Sequence, residues 1–558
     1  MSVGQRRSKD TSAAPAPTYD SADNNATATT DSNTAVVAPS AKKQPPPEPS
    51  DSVASRRYIL FALWSTVVFL GLPVWIWTTT VHRATLPIDS MKTWAEGQAC
   101  QLEFPLHVAI DSDSLRPQDI THVVRLVQQT LDDHHVSSLH HLRIATRNQT
   151  DDTPAVTVRL QSSPNQKDHV AALQRYEPIL EIHHPPFASA PHSSLLSPIA
   201  SFIASELRQL FREEQSMLLH LLANAGRAVP NAPRYPDLTA TLDQRSMRTF
   251  KYAPTYHLTF SLFSGQASPS AWEIKATIDD YLRPLVNSFS TISSFTIDTQ
   301  VQLYASLPPS MQGPTFDESK KQWILARSDL SGFINAAEWP LSPSIGAGPT
   351  INFVLYVPSE TQTPLLLEET GGNSWLIPQW GGVQILNPTS EQIKRSALTK
   401  EDLRPIMATF ADQLVTLLGL PKSPASIPMQ LGSLTRERTA ALILSASSTL
   451  GALSRLTLKL TSIAIPDSVA TSVDKTLYHL EQACNGLRDA RYDQALNHAR
   501  TAETEAEQAF FEPSMVGQVY FPDEHKVAVY VPLLGPMAVP LVMTLLKEFK
   551  NWRKSRRG

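Results

Sequence analysis

Residues 58–81, YILFALWSTVVFLGLPVWIWTTTV, are 24 consecutive positions without a charge. As a helix rising 1.5 Å per residue, such a run reaches about 36 Å, enough to cross a hydrocarbon core of ~30 Å with some tilt. Arg56 and Arg57 fence it on one side, and His82 and Arg83 on the other. Trp75 and Trp77 fall near its far end, where an aromatic belt belongs. The run begins too deep in the chain and is too long for a cleaved signal peptide, and no small-residue cleavage site follows. It reads as an uncleaved signal anchor.

A second uncharged run, VAVYVPLLGPMAVPLVMTLL, occupies 527–546. Pro532, Pro536 and Pro540 recur every four residues, a pattern that would break a helix in water. Within a membrane, neighbouring helices can satisfy the carbonyls that proline frees. Gly535 and Ala538 allow close backbone approach. Pro532, Gly535, Pro536 and Pro540 are therefore candidates for packing against other spans. Lys42, Lys43, Arg56 and Arg57 precede the first run, and Lys547, Lys550, Arg553, Lys554, Arg556 and Arg557 follow the second. By the positive-inside rule both termini are cytoplasmic and 82–526 is lumenal. The sequon Asn148-Gln149-Thr150 makes Asn148 a glycosylation candidate on that side. Asn387-Pro388-Thr389 is excluded by its proline.

Composition agrees with this division. Charged residues are 18% of the chain, below the ~25% usual for soluble domains. A net charge of −4 gives no reason to expect nucleic-acid binding, which wants a basic surface. Two cysteines exclude a disulfide-rich scaffold and a multi-cysteine zinc module. Residues 1–55 are Ser-, Thr-, Ala- and Pro-rich with few large apolar side chains, and read as a disordered cytoplasmic tail.

Between the spans, apolar runs predict strands at Glu103–Ile110, Leu142–Ala145, Ala155–Leu160, Tyr256–Phe263, Val301–Ala305 and Ile351–Val357. Helical periodicity marks Pro117–Leu131, Ile199–Leu222 and Ala271–Val286. From Glu401 the strands stop, and Leu403–Leu418, Thr439–Leu460 and Ser472–Phe510 read as helices. Leu477, Leu480, Cys484 and Leu487 share one stripe of the last. The predicted fold class is α/β (mixed α+β) for a lumenal domain at 82–400, with a helical lumenal portion at 401–526. Two transmembrane helices, 58–81 and 527–546, flank it, and a basic cytoplasmic tail follows at 547–558.

The sharpest catalytic candidate is Gln482-Ala483-Cys484-Asn485-Gly486, which resembles a caspase-type nucleophile loop. Such a thiol needs a histidine base, yet no histidine lies between His257 and His479, and the motif sits in a helical pattern. Cys484 is better explained as a packed apolar side chain. A Cys100–Cys484 disulfide is conceivable in an oxidising lumen, although sequence does not place the two Cα atoms. The pairs His134-His135, His140-His141 and His183-His184, with Asp132 and Asp133 nearby, lack the convergent spacing of a metal site. There is no HExxH, GxxxxGK[ST] or GxSxG, and no GxGxxG after a strand, so no catalytic, cofactor-binding or metal residue is assigned. Trp375–Asn387, with Trp375 and Trp380 among paired glycines, is either a tight hairpin or a binding surface.

Gly71-Leu72-Pro73-Val74-Trp75 and the exit Thr78-Thr79-Thr80-Val81-His82-Arg83-Ala84-Thr85-Leu86-Pro87 resemble the PIG-S subunits of the GPI transamidase. Pro378-Gln379-Trp380-Gly381-Gly382-Val383 with Asn387 resembles that family's WGG stretch, and Phe410–Leu420 its helix ending in LLGL. Phe521-Pro522 and the proline-rich last span resemble its C-terminal motifs. The resemblance runs in order from residue 71 to 540. It implies a non-catalytic subunit of the endoplasmic-reticulum complex that attaches GPI anchors to proproteins, with a caspase-like catalytic Cys–His pair on another chain. The implied partners are the other subunits, the membrane and, through the complex, the proprotein's C-terminal signal and the GPI lipid. Two other classes stay open from the residues alone: a free-standing lumenal membrane adaptor or chaperone, and a cysteine hydrolase using Cys484.

Overall fold

The computed structural model describes residues 49–79, 82–113, 115–133, 139–147, 153–164, 168–186, 197–227, 229, 233, 235–305, 312–334, 348–460, 463–515 and 523–555. By internal contacts the chain forms two units, one of residues up to Thr79 with Pro536 onward, the other of Thr80–Gly535.

The larger unit is a mixed α/β body with a helical C-terminal portion. Its first sheet contains β1 (Phe104–Ser112), β2 (His140–Thr146), β3 (Val156–Ser162), β4 (Val170–Leu173) and β5 (Ile179–His184), in the order β2-β1-β3-β5-β4. All neighbours are parallel except β4 with β5. Parallel strands need crossovers, and burial on both faces turns their sequences into continuous apolar runs. The helices Pro117–Asp133 and Pro198–Leu210 bury Val123, Leu126, Val127, Ile203 and Leu207 against the aliphatic residues of β1, β3 and β5.

The second sheet begins with β6 (Thr255–Ser264). The short β7 (Ala271–Trp272), β8 (Ser294–Gln302), β9 (Thr315–Asp317), β10 (Gln322–Leu325) and β11 (Thr350–Val357) follow. The chain then makes β12 (Leu365–Leu367), β13 (Ser374–Ile377), β14 (Gly381–Ile385) and β15 (Ala397–Leu398). The second five-stranded order is β13-β14-β11-β6-β8, with β13 alone antiparallel. Side-chain alternation divides its faces. Leu258, Phe260, Leu262, Ile351, Phe353 and Leu355 meet the helix Lys400–Leu417, where the tilted ring of Phe410 packs against the stacked Phe260 and Phe353. Phe263, Val354, Tyr356, Val383 and Ile385 meet the small sheet β12-β10-β9. The Lys400–Leu417 helix starts at a capping box, Thr399 with Asp402, close to its predicted start.

The helical portion centres on Ile427–Lys459, 33 residues and so about 50 Å long. It is long and apolar enough to cross a membrane, yet more than half of its most apolar stretch is buried in the body, which makes it a core helix. Small residues let its neighbours close in: a Cβ on Gly451 would stand 2.6 Å from that of Ala95 in the helix Ile88–Ala95. The helices Asp467–Arg488 and Tyr492–Phe510 form an antiparallel hairpin around Ala483, Ala495, Ala499, Ala502 and Ala506.

Several predicted boundaries shift. Ile199–Leu222 is two helices, broken at Phe211, and Ser472–Phe510 is two, broken where Ala490 takes φ 57°. Neither break carries a glycine or proline, so sequence punctuation misses both. Thr439–Leu460 begins twelve residues earlier, at Ile427. Thr435, Arg436 and Glu437 are buried there despite being polar, which hides the apolar period. Ala271–Val286 is β7 followed by helical turns from Ile274. The strand predicted at Val301–Ala305 is Ser294–Gln302, whose alternation of polar and apolar residues is not an apolar run.

In the smaller unit, Ser50–Thr66, a π-turn at Val67–Gly71 and Leu72–Thr79 make one rod, apolar and exposed. Its start at Ser50 lies inside the predicted tail. The helix Asp523–Ser555 covers all of 527–546 without interruption at the prolines. Their spacing of four residues places the freed carbonyls of Ala528, Pro532 and Pro536 along a single side.

Candidate functional site

Cys100 lies just ahead of β1, and Cys484 faces inward from the helix Asp467–Arg488. Both are buried, their Cα atoms are 6.2 Å apart, and their sulfurs are joined as a disulfide that spans 384 positions of sequence. The bond ties the entrance of the first sheet to the helical hairpin. Leu480 and Leu487 are buried on the same stripe, with Leu477 packed at its margin. Gly486 of the caspase-like motif serves packing, since an added Cβ would come within 3.0 Å of the Ala495 Cβ. His479 Nδ1 meets His498 Nδ1 at 2.8 Å, and burial together with the His498 ring pushes the His479 pKa down. A disulfide sulfur has no proton to give up, so this constellation holds no thiolate nucleophile.

A buried polar cluster carries no recognisable motif. The helix Arg212–Asn224 opens with Glu213 and Glu214, and the two carboxylates point to different parts of the fold. Glu214 accepts from Arg436 Nε at 2.6 Å and Nη2 at 2.8 Å, stands 3.0 Å from His140 Nε2 of β2, and accepts from the Ser433 hydroxyl. Burial alone would raise its pKa, but Arg436 and His140 outweigh burial and hold the carboxyl well below the ordinary range. Burial likewise opposes the Arg436 charge, and Glu214 reverses that and raises its pKa. Tyr492 lays its ring 5.1 Å from the Arg436 guanidinium and donates its hydroxyl to the Pro105 carbonyl. Glu213 accepts from the backbone N–H of Ser423 at 2.9 Å, and Arg245 lies 3.7 Å from Glu213 and 2.6 Å from Glu437. The three charged residues Arg212-Glu213-Glu214 inside an otherwise apolar helical pattern were the available sequence signal. Their arrangement joins elements; it places no nucleophile beside a base.

A groove of about 450 Å³ borders this cluster, walled by Pro105, Pro154, Pro178, Pro428, Arg436 and Tyr492. It opens at the starting ends of β3 and β5, whereas ligands of open parallel sheets bind beyond the carboxyl ends. Among the described residues no three His, Cys, Asp or Glu side chains converge as metal ligands. His140 is engaged by Glu214, and His184 is buried with Nδ1 2.9 Å from the Pro185 carbonyl oxygen. His134, His135 and the sequon residue Asn148 lie outside the described residues.

Trp375–Asn387 folds as the β13–β14 hairpin, with Gln379 at φ 54° in its turn. Its glycines are fixed by close approach: a Cβ on Gly381 would lie 1.8 Å from the Asn352 carbonyl oxygen, and one on Gly382 1.9 Å from Gln413 Oε1. Trp375 and Trp380 pack at the margin of the small core beneath this sheet. Asn387 completes the stretch with its amide on the outer backbone of β12, accepting from Leu365 N–H at 2.8 Å and donating to Leu365 C=O at 3.0 Å.

In the smaller unit, Glu548 accepts from Arg56 at 2.8 Å and Arg57 at 3.2 Å, which brings the basic start of the first apolar helix to the end of the last. Along the helix Asp523–Ser555, which crosses the division between the units, Pro532, Pro536 and Pro540 are exposed, and a Cβ on Gly535 would meet nothing within 4 Å. On the body, Arg83 donates to the carbonyls of Leu460 and Thr457, and His82 and Ala84 pair with Ile465. Residues 82–84 are thus held against the helical portion within the body.

The chain matches the family described as phosphatidylinositol-glycan biosynthesis class S protein over residues 62–555. It is 28% identical over 547 residues to the GPI-anchor transamidase component PIGS of Rattus norvegicus, covering 90% of this chain and 97% of the relative. The GPI transamidase component GPI17 of Saccharomyces cerevisiae is 26% identical over 533 residues, with 90% and 94% covered. The GPI transamidase component PIG-S homolog of Schizosaccharomyces pombe is 31% identical over 321 residues, 56% of each chain. With one family spanning both apolar helices and the whole body between them, the chain belongs to the phosphatidylinositol-glycan biosynthesis class S family.

Proposed function

We propose that this chain is a non-catalytic, positioning subunit of a GPI transamidase complex in the endoplasmic-reticulum membrane. The observation that carries this reading is the family match over 62–555, with relatives named as transamidase components along nearly their full length. The chemistry of the body supports it. Its caspase-like Cys484 is closed in a disulfide, its most buried charges tie elements together, and the reaction's Cys–His pair belongs on a partner chain. Two helices anchor the chain, 58–81 and 527–546, with 82–526 in the lumen, 82–400 as its mixed part and 401–526 as its helical part. The Arg56, Arg57 and Glu548 cluster supports this arrangement, because an antiparallel pair of spans puts those residues on one side, where positive charge belongs. The exposed proline stripe faces the spans of other subunits. Asn148 carries a lumenal glycan.

A body held in this way fixes the catalytic subunit, the proprotein's C-terminal signal and the GPI amine near one another, and such positioning can lower a barrier without a reacting side chain. The test is purification of the tagged full chain in mild detergent. Recovery with a caspase-like protease and further membrane subunits is the expected result. Recovery of the chain alone, with GPI-anchored proteins displayed normally when it is depleted, refutes the assignment.

A further inference from the structure

Three helices of the body end at one level. In the hairpin of Asp467–Arg488 and Tyr492–Phe510, His479 meets His498 and Lys475 meets Glu505, so the start of the first helix lies beside the end of the second. The central helix Ile427–Lys459 runs in the same direction as Tyr492–Phe510. Arg436 lies 5.1 Å from the Tyr492 ring, and nine residues further along Ser445 donates to Glu503. The last turns of the central helix, around Leu458, therefore reach the same end of the body as Asp467 and Phe511.

That end also holds residues 82–84. Ile465 N–H donates to His82 C=O at 3.0 Å, and Ala84 N–H donates to Ile465 C=O at 2.8 Å. Arg83 donates to the carbonyls of Thr457 and Leu460 at the close of the central helix. His82 directly follows the apolar run 58–81, and three residues of chain reach at most about 11 Å. With that run across a bilayer, whatever is paired to 82–84 stands at the membrane surface. The second apolar run, 527–546, follows in sequence from Phe511 at the same end.

The side chains there suit that place. Among the described residues of 401–515, the large apolar side chains left exposed are Leu458 at 52%, Tyr478 at 56% and Phe511 at 63%. Two of the three are at this end, where a body ending in water would present polar groups. Arg455 and Lys459, one turn apart and exposed, flank Leu458. Long basic side chains beside an apolar one lay their stems along hydrocarbon and lift their charges to the headgroups.

We propose that this end of the body is a lipid-binding surface. Leu458 and Phe511 bury in the boundary between headgroups and acyl chains of the lumenal leaflet, and Arg455 and Lys459 meet lipid phosphates. The inference rests on the two-span reading above. The bilayer is the occupant because the run ending at 81 joins this end through residues the body holds by backbone pairs and by Arg83. A body seated in this way keeps one height above the membrane, which a tether alone would leave variable.

Both cysteines are in the Cys100–Cys484 disulfide, so an introduced cysteine is the one reactive thiol of this chain. Leu458→Cys and Phe511→Cys, each carrying an environment-sensitive fluorophore, are placed in the purified complex in phosphatidylcholine nanodiscs. Lipid brominated near the top of its acyl chains is expected to quench both labels by about two-fold or more, because an interfacial side chain sits only ~5–10 Å deep. A label at Tyr176→Cys is expected to keep its emission. Tyr176 is 75% exposed, and its neighbour Arg175 accepts from Ile427 N–H at the far end of the central helix, about 45 Å away. Unquenched labels at 458 and 511, or labels shielded by a partner subunit, overturn the proposal. A label at Phe69→Cys, read with lipid brominated deep in its chains, separates the two failures. Phe69 quenched while 458 and 511 are not sinks this surface alone; Phe69 unquenched sinks the two-span reading with it.

Discussion

The two five-stranded sheets are built alike but held differently. The first has an aliphatic core, is capped at β2 by Gln128, is fastened to the central helix by the buried Glu214, Arg436 and His140 cluster, and is stapled at its entrance by Cys100–Cys484. The second has an aromatic core around Phe260, Phe353 and Phe410 and no disulfide. Its polar links to the helical portion, Arg245 with Glu437, Arg438 with the Leu418 carbonyl and Arg500 with the Thr291 carbonyl, are spread over separate elements rather than gathered in one buried cluster. The difference teaches that the first lobe concentrates its hold on the helical portion in one buried charge cluster and one covalent bond, while the second spreads its links and relies more on aromatic packing. The first lobe should therefore be sensitive to loss of those links, and the second should not.

The largest test is Arg436→Ala. It leaves Glu214 charged, buried and without its guanidinium, and removing one partner from such a pair typically costs about 3–5 kcal/mol. Chemical denaturation should show the loss, and hydrogen exchange should place it in β1, β2 and the helix Arg212–Asn224. Uniform loss across both sheets would break the comparison. Next is Cys484→Ala, which opens a covalent loop of 384 positions. Loss of a native disulfide costs about 2–5 kcal/mol, measurable as a fall in melting temperature that wild type reproduces under reductant. The second sheet's exchange should stay near wild type.

Gln128→Ala uncovers the β2 edge. Two hydrogen bonds to backbone are lost but water can replace them, so about 1 kcal/mol is expected, with faster exchange at the Ile144 amide. An unchanged Ile144 amide would show that the edge needs no cap and would blunt the contrast between the lobes. The smallest effect is that of mild acid. The folded pKa of Glu214 lies below its unfolded value, so its contribution is present above the ordinary glutamate range and is lost as pH falls toward the folded value. Between pH 5 and 4 only the start of this loss is reached. The first lobe should loosen slightly before the second as pH is lowered, and the reverse order would overturn the assignment of the buried charge.

Much of this architecture was legible in the residues. Central parallel strands such as Tyr256–Phe263 and Ile351–Val357 are buried on both faces, and their runs of large apolar side chains announce them. β8 was misplaced for the opposite reason, because SFTIDTQVQ is half-solvated and alternates. The start of the central helix was hidden because Arg436 and Glu437 are polar by type and buried by position. The helix breaks at Phe211 and Ala490 have no local chemistry to mark them, since packing alone sets them.

By itself, the sequence determined what depends on composition and short spacing. It determined the two uncharged runs, the charges that bracket them, the mixed body with helices after it, and the ordered family motifs from Gly71 to Pro540. Only the tertiary structure decided what depends on meetings between distant residues. Cys100 found Cys484, Glu214 found Arg436 and His140, and Asn387 found the back of β12. Local chemistry acts over a few residues of chain, whereas a pairing across 384 positions is fixed only once the intervening cores have packed.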